Sequence, residues 1–318
     1  MNALSKPAPK VSVIIPVRNG KDYIHEALRS VVDQSFNDLE IVLVDDGSTD
    51  FDYGSLEALD TRVRVVRLEG RGVSFARNTG MAMARGQLLA FLDADDVWCP
   101  GKLAAQVAYF DRHPQVGMVF GRYCRWYADA AGSFPAADTL TTDCHDVDKA
   151  EHERSGWLYA RLLDGLLVGM NTALIRRSVY EQIGGFREDM RLGEDHDFWI
   201  RTSRVAEMHS LDAIVALYRI HGDSATQRRL PAENVHTTLL NMAKARWGLT
   251  GPASSGLSTT AFRRRMAALH FSHGYVHYWR GDPRIARSEF WRSMTMGHRW
   301  LRALAYVLLS QFKVSTGR

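Results

Sequence analysis

Residues 88–96 read LLAFLDADD and join a short apolar run to three carboxylates. The mostly apolar residues 88–92 predict a short strand that is buried on both faces. Asp93, Asp95 and Asp96 follow at its C-terminal end, where each charge disfavours ionisation of the next unless a cation lies among them. Hard oxygen ligands suit Mg²⁺ or Mn²⁺, which in turn suit phosphates. An acidic turn at the end of a strand explains these residues equally well. The choice between a cation site and such a turn therefore depends on the surrounding sequence.

The first 112 residues alternate between predicted strands and helices. Apolar runs predict strands at 11–17, 39–44 and 63–68, ahead of the strand at 88–92. Predicted helices follow residue 19, span 72–84 and span 102–112, with Asn19 placed to cap the first. Strands and helices joined by short connections predict a parallel α/β sheet, whose ligand crevice lies at the C-terminal ends of the strands. Residues 16–19, 45–50 and 93–96 all fall at such ends.

The pattern continues less regularly to about residue 222. Residues 116–127, 171–176 and 213–218 are strand-like, and helices are predicted at 177–183 and 194–203. Between them, residues 128–154 are polar and irregular, and a loop of that length is usually functional or disordered.

The composition is that of an ordinary globular protein. Of 318 residues, 46% are hydrophobic and 24% are charged. No run reaches the roughly 18 apolar residues of a membrane span, and the first ten residues lack the apolar segment of a signal peptide. Three cysteines without CxxC spacing predict a reducing compartment, with neither a disulfide framework nor a structural zinc site. We therefore expect a cytoplasmic protein, which at most lies at the inner face of the membrane.

Charge divides the chain into two parts. Residues 1–225 carry 25 Lys/Arg and 33 Asp/Glu, whereas residues 226–318 carry 15 and 3. This asymmetry predicts a catalytic domain at 1–225 and a basic helical extension at 226–318. Helices are predicted in the extension at 262–280, 283–296 and 298–313, with breaks at glycine and proline.

Six motifs in this order resemble those of the inverting family-2 nucleotide-sugar glycosyltransferases of the GT-A fold. They are VSVIIPVRNG at 11–20, LEIVLVDDGSTD at 39–50, GVSFARNTGMAMARG at 72–86, FLDADD at 91–96, GGF at 184–186 and GEDHDFWIR at 193–201. The resemblance covers roughly residues 10–222. It implies a Rossmann-like, mixed but mainly parallel sheet flanked by helices, here followed by a C-terminal α-helical extension.

The resemblance also implies roles for individual residues. The donor-binding residues would be Pro16, Val17, Arg18, Asp46, Arg71, Arg77, Asp93 and Arg201. Within this set, Asp46 would accept a hydrogen bond from a uracil-type N–H. Asp95 would be the main ligand of Mn²⁺ or Mg²⁺, supported by Asp93 and His221, and Asp195 would be the general base.

Those roles agree with the chemistry of sugar transfer. Breaking the sugar–diphosphate bond leaves charge on the diphosphate, which a divalent ion neutralises. The attacking hydroxyl must lose its proton to a carboxylate on the opposite face of the sugar. The implied reaction moves one sugar, with a UDP-sugar as the favoured donor, to a hydroxyl of a glycan or lipid-linked acceptor with inversion, in bacterial surface polysaccharide or glycan synthesis.

Structural roles remain open for the same residues. Asp46 can cap a turn, and Asp195 can favour a helix N-terminus. Arg71 and Arg77 can be surface charges, and His221 can be structural.

Other functions fit the sequence less well. An oxidoreductase needs G-x-G-x-x-G after its first strand, and a sugar nucleotidyltransferase needs a Gly-rich basic loop there, but residues 16–20 read PVRNG. A processive polysaccharide synthase usually has Q-x-x-R-W with membrane helices, and Ala243 stands in place of the Gln before Arg246-Trp247. An inactive transferase-fold binding module is the other alternative. The basic extension shows no nucleic-acid motif. Its aromatic residues fit two interpretations, contact with an anionic membrane surface or packing of the extension onto the catalytic domain with the arginines exposed to solvent.

Overall fold

The computed structural model of the chain describes residues 7–137, 155–165, 168–222, 230–254, 256–297 and 299–312. Within these residues the chain forms two units, one from Met1–Leu158 and Val168–His221 and the other from Tyr159–Leu167 and Gly222–Arg318. The predicted boundary after residue 225 lies outside the described residues, so a boundary at that point stays a prediction.

The first unit contains an α/β sheet. Its elements begin with β1 (Val11–Val17), α1 (Ile24–Val32), β2 (Leu39–Asp45), β3 (Val63–Arg67), α2 (Val73–Met83), β4 (Leu88–Phe91), β5 (Val97–Trp98), α3 (Lys102–Arg112) and β6 (Val116–Tyr127). After α4 (Tyr159–Asp164), which belongs to the second unit, follow β7 (Leu174–Arg176), α5 (Arg177–Ile183), α6 (Glu194–Thr202) and β8 (Glu207–Ile220). Short 3₁₀ turns occupy Tyr53–Ala58 and Met170–Thr172.

In the described residues, eight strands lie in the order β3-β2-β1-β4-β7-β6-β8-β5. Pairs among β1 to β4 are parallel, as is β6 with β8, whereas β7 is antiparallel to both neighbours and β5 to β8. The predicted class, a mixed and mainly parallel sheet flanked by helices, is confirmed. Val17 pairs with Asp45, and Ile14 pairs with Phe91, so β1, β2 and β4 end at one edge of the sheet.

The strands β1, β2 and β4 are buried on both faces, as their apolar composition predicts. One face packs against α1 and α3, while the other packs against α2 through residues such as Val44 and Ala76. α2 approaches β1 so closely that a Cβ at Gly80 would lie 2.6 Å from Ile14 Cγ2. The close approach explains why a glycine occupies position 80.

Some predicted local features differ. Asn19 does not cap α1, whose N-cap is Tyr23. Asn19 instead has φ 53° and accepts a hydrogen bond from Thr49 N through its side chain. It therefore joins the loops that follow β1 and β2. β8 begins at Glu207, earlier than expected, and within the predicted irregular loop residues 138–154 lie outside the described part of the chain.

The second unit is helical. It contains α4, α7 (Val235–Trp247), α8 (Thr259–Arg280), α9 (Pro283–Thr295) and α10 (Trp300–Phe312), so the predicted C-terminal helices are present. The last three share a core of Phe271, Ala286, Phe290, Ala303 and Val307. Along the described ranges, every helix is too short or too polar to cross a membrane.

Cys124 is disulfide-bonded, so the predicted reducing compartment loses the support of the cysteine count.

Candidate active site

The loops after β1 and β2 meet at the edge where both strands end. Asp46 is buried, and its two carboxylate oxygens accept hydrogen bonds from the backbone N–H groups of Arg71 and Gly72, each at 2.8 Å. Gly72 is the N-cap of α2 and has φ 101°. Arg18 is exposed, with its guanidinium 3.9 Å from Asp46, and it follows buried Pro16 and Val17. Asp46 thus holds the start of α2 in place, with lone pairs to spare for another donor.

The three carboxylates after β4 point to three different partners. Asp93 accepts a hydrogen bond from Arg77 at 2.7 Å, and Asp95 lies 2.9 Å from His221 Nε2. Asp96 is buried and accepts from Asn171 Nδ2 and from a backbone N–H of β8. The three carboxylates therefore reduce their mutual repulsion by pointing to different partners, whereas the sequence suggested that they share a cation. Burial, followed by the charges of Asp95 and Asp93, raises the pKa of Asp96 well above its usual value.

Arg77 links the β4 end to the start of α6. Its side chain is 5% exposed, with Nη2 donating to Asp93 at 2.7 Å and Nη1 donating to Glu194 at 2.9 Å. Burial works against the charge, but these two carboxylates outweigh it and raise the pKa of Arg77. Arg77 is a buried bridge between the two acidic motifs, and the interpretation as a surface charge is wrong.

Asp195 lies in the first turn of α6, beside this bridge. Its Oδ1 accepts the backbone N–H of His196 at 2.7 Å. The helix N-terminus favours the ionised carboxylate, but burial outweighs it and, with the charge of Asp93, raises the pKa of Asp195. A carboxylate with a raised pKa is better matched to accepting a hydroxyl proton near neutral pH. Asp197 points elsewhere, to Arg201 at 2.8 Å.

Arg201 and Arg71 are held by protein groups. Arg201 donates to the carbonyls of Ile183 at 2.9 Å and Gly185 at 2.8 Å as well as to Asp197, so all three guanidinium nitrogens have partners. These contacts account for Arg201 without a ligand. Arg71 is exposed and stacks over a ring of α2, with Nη2 3.6 Å from Glu188.

Asp95 and His221 fit a divalent cation as a pair. Asp95 Oδ2 and His221 Nε2 lie 2.9 Å apart, at hydrogen-bond distance, and this separation is also close to the ~3 Å between two adjacent ligands of an octahedral ion at ~2.1 Å. Over the described ranges, no three His, Cys, Asp or Glu side chains are gathered for a metal. Asp93 accordingly does not join the pair, because it faces Arg77. Mg²⁺ commonly takes one or two protein ligands and completes its shell with phosphate and water.

Three residues that the sequence did not single out as site residues organise this region. Asn171 and Arg219 hold the turn after β4, with Arg219 Nε donating to Asp95 O at 2.7 Å. Asn78 ties α2 to the GGF turn through Phe186 N, and a Cβ on Gly185 would lie 2.4 Å from its Oδ1. The motifs ARNTG and GGF therefore face each other. Their separation in sequence hides this contact.

The sequence matches a known protein family. The model of glycosyl transferase family 2 matches residues 12–133. The putative teichuronic acid biosynthesis glycosyltransferase TuaG of Bacillus subtilis (strain 168) is 31% identical over 230 residues, which cover 70% of this chain and 84% of that protein. The chain belongs to glycosyl transferase family 2 and is a glycosyltransferase.

Solved structures share the fold. S. aureus TarS 1–349 in complex with UDP-GlcNAc superposes with a TM-score of 0.63 at 18% identity, over 95% of this chain and 89% of that one. The mannosyltransferase PcManGT from Pyrobaculum calidifontis, in complex with GDP-Man and Mn²⁺, gives 0.54 at 20% identity, over 96% and 81%.

Proposed function

We propose that the chain transfers one sugar from a nucleotide-diphosphate sugar to a hydroxyl of an acceptor, with inversion at the anomeric carbon. The observation that carries the proposal is the buried Arg77 bridge, with one guanidinium contacting both Asp93 and Glu194. Through it, the strand end that would hold the donor and the helix that would activate the acceptor are adjacent. A single displacement from the face opposite the leaving group inverts the configuration.

Asp195 is the proposed general base. Its raised pKa favours proton acceptance from the acceptor hydroxyl as that oxygen attacks the sugar. Glu194, engaged by Arg77, is assigned to positioning. Arg201 is assigned a structural role, because its donors end on the α5–GGF turn and on Asp197.

Asp95 and His221 are the proposed ligands of Mn²⁺ or Mg²⁺, with Asp93 supporting them through its position on the same turn. When bound, the ion would neutralise charge on the leaving diphosphate. Arg219 holds the backbone of Asp95, and Asn171 holds Asp96, so the turn is fixed before any ligand arrives. A preorganised turn costs little reorganisation during the reaction.

A UDP-sugar is the favoured donor. Pro16, Val17, Arg18 and Asp46 line the edge where the first two strands end, and Arg71 lies at the adjoining start of α2. Support for uridine comes from TarS, whose structure holds UDP-GlcNAc. PcManGT holds GDP-Man on the same fold, so the preference of this chain for a UDP-sugar over other nucleotide sugars has to be measured.

The proposed role is the assembly of a surface polysaccharide or a related glycan. TuaG, a relative whose match covers 70% of this chain, bears teichuronic acid biosynthesis in its name. The acceptor would be a glycan or a lipid-linked saccharide, and a cytoplasmic location stays a prediction.

A panel of nucleotide sugars, with and without Mn²⁺, tests donor and metal together by thermal unfolding. A ligand at 100 times its dissociation constant stabilises the folded state by about 2.7 kcal/mol, so a UDP-sugar should raise Tm most, and only with metal. Asp95→Ala should abolish that rise and sugar transfer while leaving the ligand-free Tm unchanged.

Asp189→Ala is the matched control, because Asp189 is exposed and its ion pair among the described residues is with Arg187. Full transfer by Asp95→Ala in EDTA would contradict the metal role. Donor binding without transfer or hydrolysis by the wild type would favour the inactive binding module.

A further inference from the structure

Helix α10 carries an apolar stripe on the side that faces away from its neighbours. Ala303, Val307 and Ser310 are buried, and the first two pack with residues of α8 and α9. The opposite side exposes Leu301, Leu308, Leu309 and Phe312, and these four residues are named here the α10 stripe. Their exposed fractions run from 50% at Leu308 to 83% at Phe312. Spacings of 7, 8 and 11 residues place them in one row, and such a row indicates a binding surface.

The surroundings of the stripe are cationic. α10 contains one charged residue, Arg302, and residues 226–318 contain only three acidic ones. Of these, Glu289 is buried and accepts hydrogen bonds from His270 and Asn234, and Asp282 caps α9. The carboxylates of Glu289 and Asp282 are therefore engaged within the helical unit, and they do not offset the positive charge of the arginines around the α10 stripe.

A groove between α9 and α10 joins the basic and apolar surfaces. Its lining comprises Arg284, Arg287, Ser288 and Trp291 from α9 with Val307 and Gln311 from α10. Gln311 lies three positions after Leu308, so it borders the stripe on the same side of the helix. Guanidinium groups, an exposed indole and an apolar row thus occupy adjoining parts of one face.

We propose that this face binds the surface of an anionic lipid bilayer. Leu301, Leu308, Leu309 and Phe312 enter the acyl boundary, Trp291 lies at the headgroup level, and Arg284 and Arg287 contact lipid phosphates. A 13-residue helix is about 20 Å long, shorter than the ~30 Å hydrocarbon core. The helix therefore lies in the plane of the interface.

Charge and length argue against the other occupants. A two-fold contact with a second copy would set the same arginines of both chains against each other. Residues 313–318, KVSTGR, add two more positive charges and offer one sizeable apolar side chain, Val314. Of these three occupants, a bilayer offers both acyl chains for the apolar row and phosphates for the arginines.

The test is flotation of the full chain with vesicles of phosphatidylcholine alone or with phosphatidylglycerol added. We expect flotation with the anionic vesicles only, weakened by high salt. The variant Leu308→Ser/Leu309→Ser/Phe312→Ser should bind on the order of 100-fold more weakly. Arg284→Gln/Arg287→Gln should lose the preference for anionic lipid.

Leu59→Ser is the control, since Leu59 is 57% exposed, within the range of the α10 stripe, but lies in the first unit. It should float like the wild type, and circular dichroism should show each variant folded. Wild type left in the soluble fraction, or a triple-serine variant that floats normally, would overturn the proposal. A dimer that dissociates in the triple variant, without vesicle binding by either protein, would assign the stripe to a second copy.

Discussion

Lys102 is a fully buried lysine on α3, with Nζ 2.8 Å from Gln106 Oε1 and 4.0 Å from the ring centre of Trp98. No carboxylate neutralises it among its described contacts. Burial of the ammonium lowers the pKa of Lys102 to about 7. The unfolded chain keeps the ordinary value of 10.5, so between these values the unfolded state binds more protons than the folded one.

Stability should therefore rise with pH from about 7 towards 10.5 because of this group. Lys102→Met conserves most of the volume and should remove the dependence. The free energy of unfolding of the variant minus that of the wild type should decrease, as pH rises through this window, by up to ~1.4 kcal/mol per pH unit. Urea denaturation at pH 6, 7, 8 and 9 measures it. The loss of a partner for Gln106 adds only an offset, so parallel curves would contradict the prediction.

At the scale of elements, Arg77 joins three of them: α2, which carries it, the turn after β4, and the start of α6. Removing one partner of a buried ion pair leaves uncompensated charge, at a cost of about 3–5 kcal/mol. Asp93 is 30% exposed, so water screens part of that cost.

Arg77→Met should lower the free energy of unfolding by about 3 kcal/mol and reduce turnover more than donor affinity. Arg77→Lys should have a stability and a turnover between those of the wild type and Arg77→Met, because one ammonium cannot reproduce two directed hydrogen bonds. Lys10→Met is the control, since the exposed Lys10–Asp111 pair contributes only about 0–1 kcal/mol. Urea denaturation and steady-state kinetics measure both effects, and a stable, fully active Arg77→Met would refute the bridge.

The sequence predicted those elements better than the contacts between them. Apolar runs placed the strands at 11–17, 39–44 and 88–92 almost to the residue, because burial on both faces leaves a local signal. α7 lacked such a signal, since its Val-His-Thr-Thr start is rich in β-branched residues.

The site could be predicted only in part for the same reason. Motifs located the acidic segments, but Arg77 and Glu194 are 117 residues apart and their contact depends on tertiary packing. Three adjacent carboxylates suggested one shared cation, whereas Asp96 turns inward to Asn171, 75 residues away. Local spacing also gave no reason to expect that the guanidinium of Arg201 would donate its hydrogen bonds to backbone carbonyls.

At the scale of the whole molecule, the two units carry different chemistry. The first unit holds the motifs of the family and every residue of the candidate active site. The second holds most of the basic excess and the exposed α10 stripe. Every residue proposed for the chemistry therefore lies in one unit.

Asp195→Asn tests the central claim, that a base on α6 acts across from a donor held at the β4 end. The measurement is kcat over a range of pH, together with the dissociation constant of the donor. Wild-type kcat should fall as acid protonates Asp195, and Glu194→Gln, which alters only the partner of Arg77, should keep that acid limb. In Asp195→Asn we expect kcat to drop roughly 10²–10⁴-fold, the acid limb to vanish and donor affinity to remain. Normal turnover in Asp195→Asn, or loss of donor binding with it, would contradict the account.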